Sequence, residues 1–164
     1  MDNPDGFEHT YAPDPVGDRM WRKNRRDHGD GNFGVDLNRN WSIDWGGSGS
    51  TSTNTGSDVF IGTAPFSEPE TSALRDFIIA HPNLVGDIDI HSYGQLVLQT
   101  WAYTNAENAD YDLIDRVGTA MNEGIAAVHD EFYENGWSGT ILYLSSGTMR
   151  DWTYGTQGTL GFTI

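Results

Sequence analysis

Two short motifs place residues capable of anion chemistry close together. Asp36-Leu-Asn-Arg-Asn-Trp41 sets the amide of Asn38 beside the guanidinium of Arg39. A planar guanidinium matches a carboxylate in a two-point hydrogen bond, so this pair suits a carboxylate-bearing ligand. The competing arrangement is an internal pair of Arg39 with Asp36. Trp21-Arg-Lys23 lies in a basic cluster, Arg19, Arg22, Lys23, Arg25 and Arg26, holding five of the nine Lys+Arg residues within eight positions. On charge alone the cluster reads either as a local anion site or as a solvated turn. His91, one of five histidines, follows the alternating segment Asp87-Ile-Asp-Ile90, and a histidine at a strand end is either a structural hydrogen-bonder or a ligand. Zero cysteines exclude disulfides, thiolate nucleophiles and Cys-ligated zinc. Asn40-Trp41-Ser42 also matches a glycosylation sequon, overlapping the first motif.

The elements that position these residues must come from a chain of 164 residues, enough for one ordinary domain or part of a larger one. With 37% hydrophobic and 12% aromatic residues it can build a core. A formal charge of −15, from 24 Asp+Glu against 9 Lys+Arg, argues against a nucleic-acid backbone as partner, because phosphate binding needs clustered cations. No apolar run approaches the ~20 residues that cross a bilayer, and the first residues lack the pattern of a signal peptide.

Residues 1 to about 30, with Asn3-Pro-Asp-Gly6, Pro13 and Pro15, read as turns and irregular chain. Gly46–Ser57 is an unbroken run of Gly, Ser, Thr and Asn, expected as a surface loop inserted within a domain. Ser67-Glu-Pro-Glu70 has the form of a capping box and predicts a helix to about His81, with Leu74, Phe77 and Ile78 on its apolar face. Strands are expected at Leu84–Ile90, Gln95–Trp101, Ile141–Leu144 and Thr159–Ile164. A long helix over Asn105–Asp130 follows from Ile114, Val117, Met121, Ile125 and Val128 at three- and four-residue spacing, and a further helix is expected near Ser146–Tyr154. Strands alternating with helices predict an α/β layered domain, with helices covering a central sheet and a ligand crevice off the strands' carboxyl ends, where His91 falls.

Taken in order, Asn3-Pro-Asp-Gly6, Trp21-Arg-Lys23, Gly34-Val-Asp-Leu-Asn-Arg-Asn-Trp41, the Ser67–Glu70 helix start, Ile90-His-Ser-Tyr93, Tyr143-Leu-Ser-Ser-Gly147, Asp151-Trp152 and Gly161-Phe-Thr-Ile164 resemble the zinc metallocarboxypeptidases of the carboxypeptidase A/B type. The resemblance covers essentially the whole chain. It implies a three-layer α/β/α fold with a central mixed sheet, incomplete here, so that residues 1–164 form the central and later part of a larger catalytic domain. An uncovered sheet edge and apolar face are then expected where the first strands are missing.

The resemblance also implies roles. Asn38 and Arg39 match a clamp for the substrate's terminal carboxylate, and Arg22 matches the arginine that polarises the scissile carbonyl. Tyr143 matches a mobile tyrosine that closes over substrate, with Ser92 and Tyr93 lining adjoining subsites. His91 matches one zinc ligand; the family's other two come from an upstream His-x-x-Glu, a motif found nowhere in this chain. The general-base glutamate would fall just past Ile164. Zn2+ is the implied cofactor, and peptide or protein C-termini are the implied partners, with no nucleic acid, no membrane and a monomer when complete. An extracellular location is implied by the family alone. Arg150, the residue preceding Asp151, matches the family position at the base of the pocket for the substrate's last side chain, and by charge complementarity this predicts a preference for C-terminal Glu or Asp; the alternative turns Arg150 toward Asp151 or solvent. The bare chain is expected to be inactive. Rival readings are a zinc-free peptide-terminus-binding relative, and a carbohydrate-binding module that would leave the ordered motifs to coincidence.

Overall fold

The computed structural model describes residues 3–164. Four strands form one mixed sheet in the order β1-β4-β2-β3: β1 (Gly86–Asp89), β2 (Leu96–Gln99), β3 (Glu134–Trp137) and β4 (Leu160–Thr163). β1 runs parallel to β4 and β2 parallel to β3, while β2 and β4 pair antiparallel. The helices are α1 (Pro4–Tyr11), α2 (Pro69–Ala80), α3 (Tyr111–His129), the short α4 (Ser138–Ile141) and α5 (Met149–Gln157).

Side-chain alternation along β4 assigns the layers. Phe162 packs with Ile114, Val117 and Met121 of α3 and with Val97 of β2. Thr163 instead bonds Arg150 of α5, and a Cβ at Gly161 would lie 2.7 Å from the Arg150 Cβ. α3 and α5 therefore cover opposite faces of the sheet. Beyond α5, Trp152 packs with Trp41, Phe66 and Ile78 of α2. The expected layering holds, and β1 is an edge strand. Asp87 points to α5, where it accepts from the Thr153 hydroxyl; by alternation Ile88 and Ile90 occupy the other face, which α3 does not reach, and are 53% and 81% exposed.

Several expected elements are corrected. Residues 4–11 are helical rather than irregular: Asn3 caps α1 by accepting the Gly6 N–H, and Pro4 occupies the first turn, where its missing N–H costs nothing. α2 starts one residue later than a Ser67 cap would place it, because Glu68 is the cap residue; its carboxylate is buried and held by Arg26, Asn24 and Ser67. Phe77 lies outside the core, 53% exposed and stacked on His81. α3 begins at Tyr111, and Val128 near its end faces solvent. Residues 141–144 form no strand. The strand in that region is Glu-Asn-Gly-Trp at 134–137, whose composition carries no alternation and whose place is set by parallel pairing to β2.

The Gly46–Ser57 run is a loop, yet not a purely superficial one. Gly49 is buried, Ser50 N–H donates to Leu144 O, and the carbonyls of Ser50 and Thr55 accept from two buried cations, Arg39 and Lys23. Small side chains let this backbone approach those cations closely. Asn40 of the sequon is fully buried, its amide donating to Ile61 O, Ala64 O and Ser67 Oγ and its oxygen accepting from Thr71. In the folded chain it is a structural bracket with no surface for a glycan.

Candidate functional site: an arginine-lined pocket off the strand ends

The site is assembled from three stretches. The first is a 3-10 turn over Leu37–Arg39, capped by Asp36, whose carboxylate accepts the Asn38 N–H. The same carboxylate takes a two-point hydrogen bond from Arg22, at 2.9 and 3.1 Å. Arg22 thus pairs with Asp36 where sequence offered Arg39 as the alternative. Burial alone would lower the Arg22 pKa, but the Asp36 charge and hydrogen bond outweigh it and the net shift is upward. Arg39 is buried, with Nε donating to Ser50 O and Nη1 to Asn38 O, each at 2.6 Å.

The second stretch is the end of β1. Its ladder with β4 continues to His91, whose N–H donates to Ile164 O at 2.6 Å. Asp89 and His91 lie on one face of this strand end, and the imidazole Nε2 sits 2.8 Å from Asp89 Oδ2 and 3.0 Å from Asn38 Nδ2. Asn38 Nδ2 also donates to Asp89 at 2.6 Å, while its oxygen accepts from Met149 N–H. In this arrangement the Asn38 amide is turned to Asp89 and His91.

The third stretch is α4 to α5. Arg150, in the first turn of α5, is 2% exposed. Its Nη1 donates to Thr163 Oγ1 and its Nη2 to Ser138 Oγ, and its Nε has no partner. The adjacent Asp151 accepts instead from the N–H groups of Ala102 and Tyr103. Among the described residues Arg150 makes no ion pair, so neither alternative orientation, toward Asp151 or toward solvent, is adopted. Burial, offset in part by Asp151, Asp89 and Asp87, lowers its pKa.

All eight residues singled out from sequence, Arg22, Asn38, Arg39, His91, Ser92, Tyr93, Tyr143 and Arg150, line one pocket of about 230 Å³ off the carboxyl ends of β1 and β4. Tyr93 and Tyr143 stand at its rim, 96% and 47% exposed. The rest of the basic cluster disperses: Arg26 pairs with Glu68, Lys23 donates to Thr55 O, Arg25 lies between the Trp21 and Phe33 rings, and Arg19 lies over Tyr11. Sequence reading missed Ser138, Thr148, Thr163, Leu96 and Leu98, which also line the pocket. Only the Asp-Ile-Asp-Ile alternation hinted that β1 turns acids toward this side.

For zinc, the fit is incomplete. Catalytic zinc takes three protein ligands, and among the described residues no three His, Cys, Asp or Glu side chains are grouped to hold a metal ion. His91 can offer one imidazole and no more.

Asp87, between β1 and α5, has one oxygen on Thr153 and the other buried without a partner. Burial, against the Thr153 hydrogen bond and with the Asp89 charge added, pushes its carboxyl up from near 3.8 to about 6. A folded pKa above the unfolded one means that the folded state binds the extra proton. This contribution is fully present below about pH 4 and is lost as pH rises through 6, at most about 3 kcal/mol at ~1.4 kcal/mol per unit. Asp151, raised likewise to about 6 by burial, acts with the same sign. Denaturant melts of Asp87→Asn between pH 4 and 7 should show about half the wild-type fall in stability; an unchanged slope removes Asp87 as a cause.

A mixed sheet flanked by helices, with its pocket off the strand ends, defines an open, non-barrel α/β domain. The carboxypeptidase A of Helicoverpa armigera superposes on 99% of this chain with a TM-score of 0.88 and 34% identity, and 40% of that structure is covered. The chain belongs to the zinc carboxypeptidase family, whose profile matches residues 1–164. It is 40% identical over 152 residues to carboxypeptidase O of Bos taurus, covering 92% of this chain and 39% of that protein, and 36% identical over 159 residues to carboxypeptidase B of Astacus astacus, covering 95% and 51%. It thus spans about two-fifths to one-half of the length of these relatives. No helix among the described residues is long and apolar enough to cross a membrane.

Proposed function

We propose that residues 1–164 are the central and later part of a zinc carboxypeptidase catalytic domain, which binds peptide or protein C-termini in the arginine-lined pocket and favours a terminal Glu or Asp. The observation that carries this reading is Arg150, a buried guanidinium at the pocket with no ion pair of its own. A buried cation with no carboxylate on its guanidinium is costly even with Asp87, Asp89 and Asp151 nearby, and an incoming carboxylate relieves that cost. Arg39 receives the terminal carboxylate. Asn38 joins it only after its amide turns from Asp89, and Arg22, oriented by Asp36, faces the carbonyl of the last peptide bond. Tyr143 closes the mouth, with Ser92 and Tyr93 alongside, and His91 supplies one metal ligand. A bound zinc would supply Lewis-acid activation of water and carbonyl; of its ligands the residues present would provide His91 alone, so the bare chain binds without turnover. The whole enzyme acts outside the cell as a monomer.

Although the net charge is −15, salt screens that field beyond ~8 Å, whereas a contact inside the pocket is hardly screened. N-acetyl dipeptides ending in Glu, Phe or Lys, titrated into the chain, should bind in the order Glu, Phe, Lys, with Glu about tenfold ahead. Tighter binding of Phe overturns the acidic preference, and turnover by the chain in added zinc overturns its inactivity.

A further inference from the structure

We propose that Ser138 and Thr163 are positioning residues for Arg150: two neutral hydroxyls that fix the guanidinium at the pocket while leaving its charge for the ligand. The inference rests on the reading of Arg150 as the selector of an acidic side chain.

A buried guanidinium needs its N–H groups satisfied, and a carboxylate partner is the usual means. Here the partners are the hydroxyls of Thr163, at the end of β4, and Ser138, at the start of α4, both buried. Three aspartates lie near enough to act on Arg150 electrostatically, and each is committed elsewhere. Asp87 accepts from Thr153, Asp89 from Asn38, and Asp151 from Ala102 and Tyr103. They ease the burial of the charge without occupying the guanidinium, and Nε is left without a partner.

The backbone is shaped for this arrangement. Gly161 and Thr163 share the face of β4 turned to α5, and a Cβ at 161 would lie 2.7 Å from Arg150 Cβ and 2.8 Å from its carbonyl oxygen. The missing side chain at 161 admits the arginine stem, and the hydroxyl two residues on holds its head. Leu96, Leu98 and Leu142 contribute apolar wall to the same pocket. In those surroundings an acid in place of either hydroxyl would hold Arg150 more tightly and cancel the charge the ligand is to meet. A hydroxyl orients the cation without neutralising it.

The test uses the 164-residue chain titrated with N-acetyl-L-glutamate and with N-acetyl-L-glutamine, its neutral isostere, and reads the ratio of the two affinities. Thr163→Val and Ser138→Ala should each lower the wild-type Glu-over-Gln ratio about tenfold, the scale of one hydrogen bond to a charged group, with glutamine binding unchanged within about twofold. Thr163→Ser, which keeps the hydroxyl, should retain the ratio. If Thr163→Val does not fold, Ser138→Ala, which removes a single oxygen atom, decides. A wild-type preference for Glu that survives Ser138→Ala overturns the positioning role and leaves the Arg150 reading intact. Loss of the ratio in Thr163→Ser overturns the positioning role too, since a methyl and not a hydroxyl would then be responsible. A wild-type ratio of one overturns the Arg150 reading and this inference with it.

Discussion

Arg39→Ala should lower affinity for a free C-terminal carboxylate by roughly 100-fold and destabilise the fold in the same step. A charge-assisted two-point hydrogen bond to a carboxylate is among the strongest polar contacts available, and no other guanidinium stands on the same 3-10 turn to replace it. The stability cost has a separate origin. Arg39 is buried and donates to Ser50 O and Asn38 O. Truncation strands those carbonyls, at about 1–3 kcal/mol each if they stay dry, and frees the glycine- and serine-rich loop from its anchor. In a chain of this size each kcal/mol moves the melting temperature by about 2–4 °C. Arg39→Lys restores the charge without the planar fork, so it should recover stability in part and affinity hardly at all. Titration with N-acetyl-L-glutamate and with its C-terminal amide separates the two effects. If the wild type binds acid and amide alike, or Arg39→Ala keeps its affinity within threefold, Arg39 is not the carboxylate receptor.

The second large effect is expected at Gly34. This residue has φ of +84°, and a Cβ there would lie 2.1 Å from Asn24 O and 2.6 Å from Lys23 Cβ. Its N–H donates to Arg26 O, while the neighbouring Val35 exchanges backbone and side-chain hydrogen bonds with Asn24. Residues 22–26 and 33–36 are thereby clamped together, which brings Arg22 to Asp36. Gly34→Ala adds left-handed backbone strain to a collision with backbone atoms that cannot swing aside, a combined cost of about 3 kcal/mol or more. The melting temperature should fall by roughly 6–12 °C, with loss of the Arg22 to Asp36 contact. A fall of under 2 °C would show that the clamp yields without strain.

The motif Asp36 to Trp41 was legible as a pattern of residue types: Asp36 caps the turn and Asn38 and Arg39 face the pocket, while Asn40 and Trp41 turn into the interior onto partners far along the chain. The strand before His91 was equally legible, since alternating Asp and Ile need two unlike faces. What escaped reading were elements whose identity depends on distant partners. Glu134–Trp137 is a strand only because β2 offers it a parallel edge, and Ser138 and Thr163 become pocket residues only because α4 and β4 converge on Arg150. The small α1 escaped for another reason: the Asn-Pro-Asp-Gly run that reads as a turn supplies both its cap and its first turn.

By itself the sequence determined the layered α/β order, because hydrophobic period is a property of neighbouring residues, and its ordered motifs carried the family resemblance through which the eight residues lining one pocket were singled out. Only the tertiary structure decided how the arginines are used. Arg22 is committed to Asp36, Arg39 is tied to the loop carbonyls, and Arg150 is held by two hydroxyls and no acid. Whether a buried cation is neutralised or left for a ligand depends on which groups from other elements reach it, and no local pattern records that.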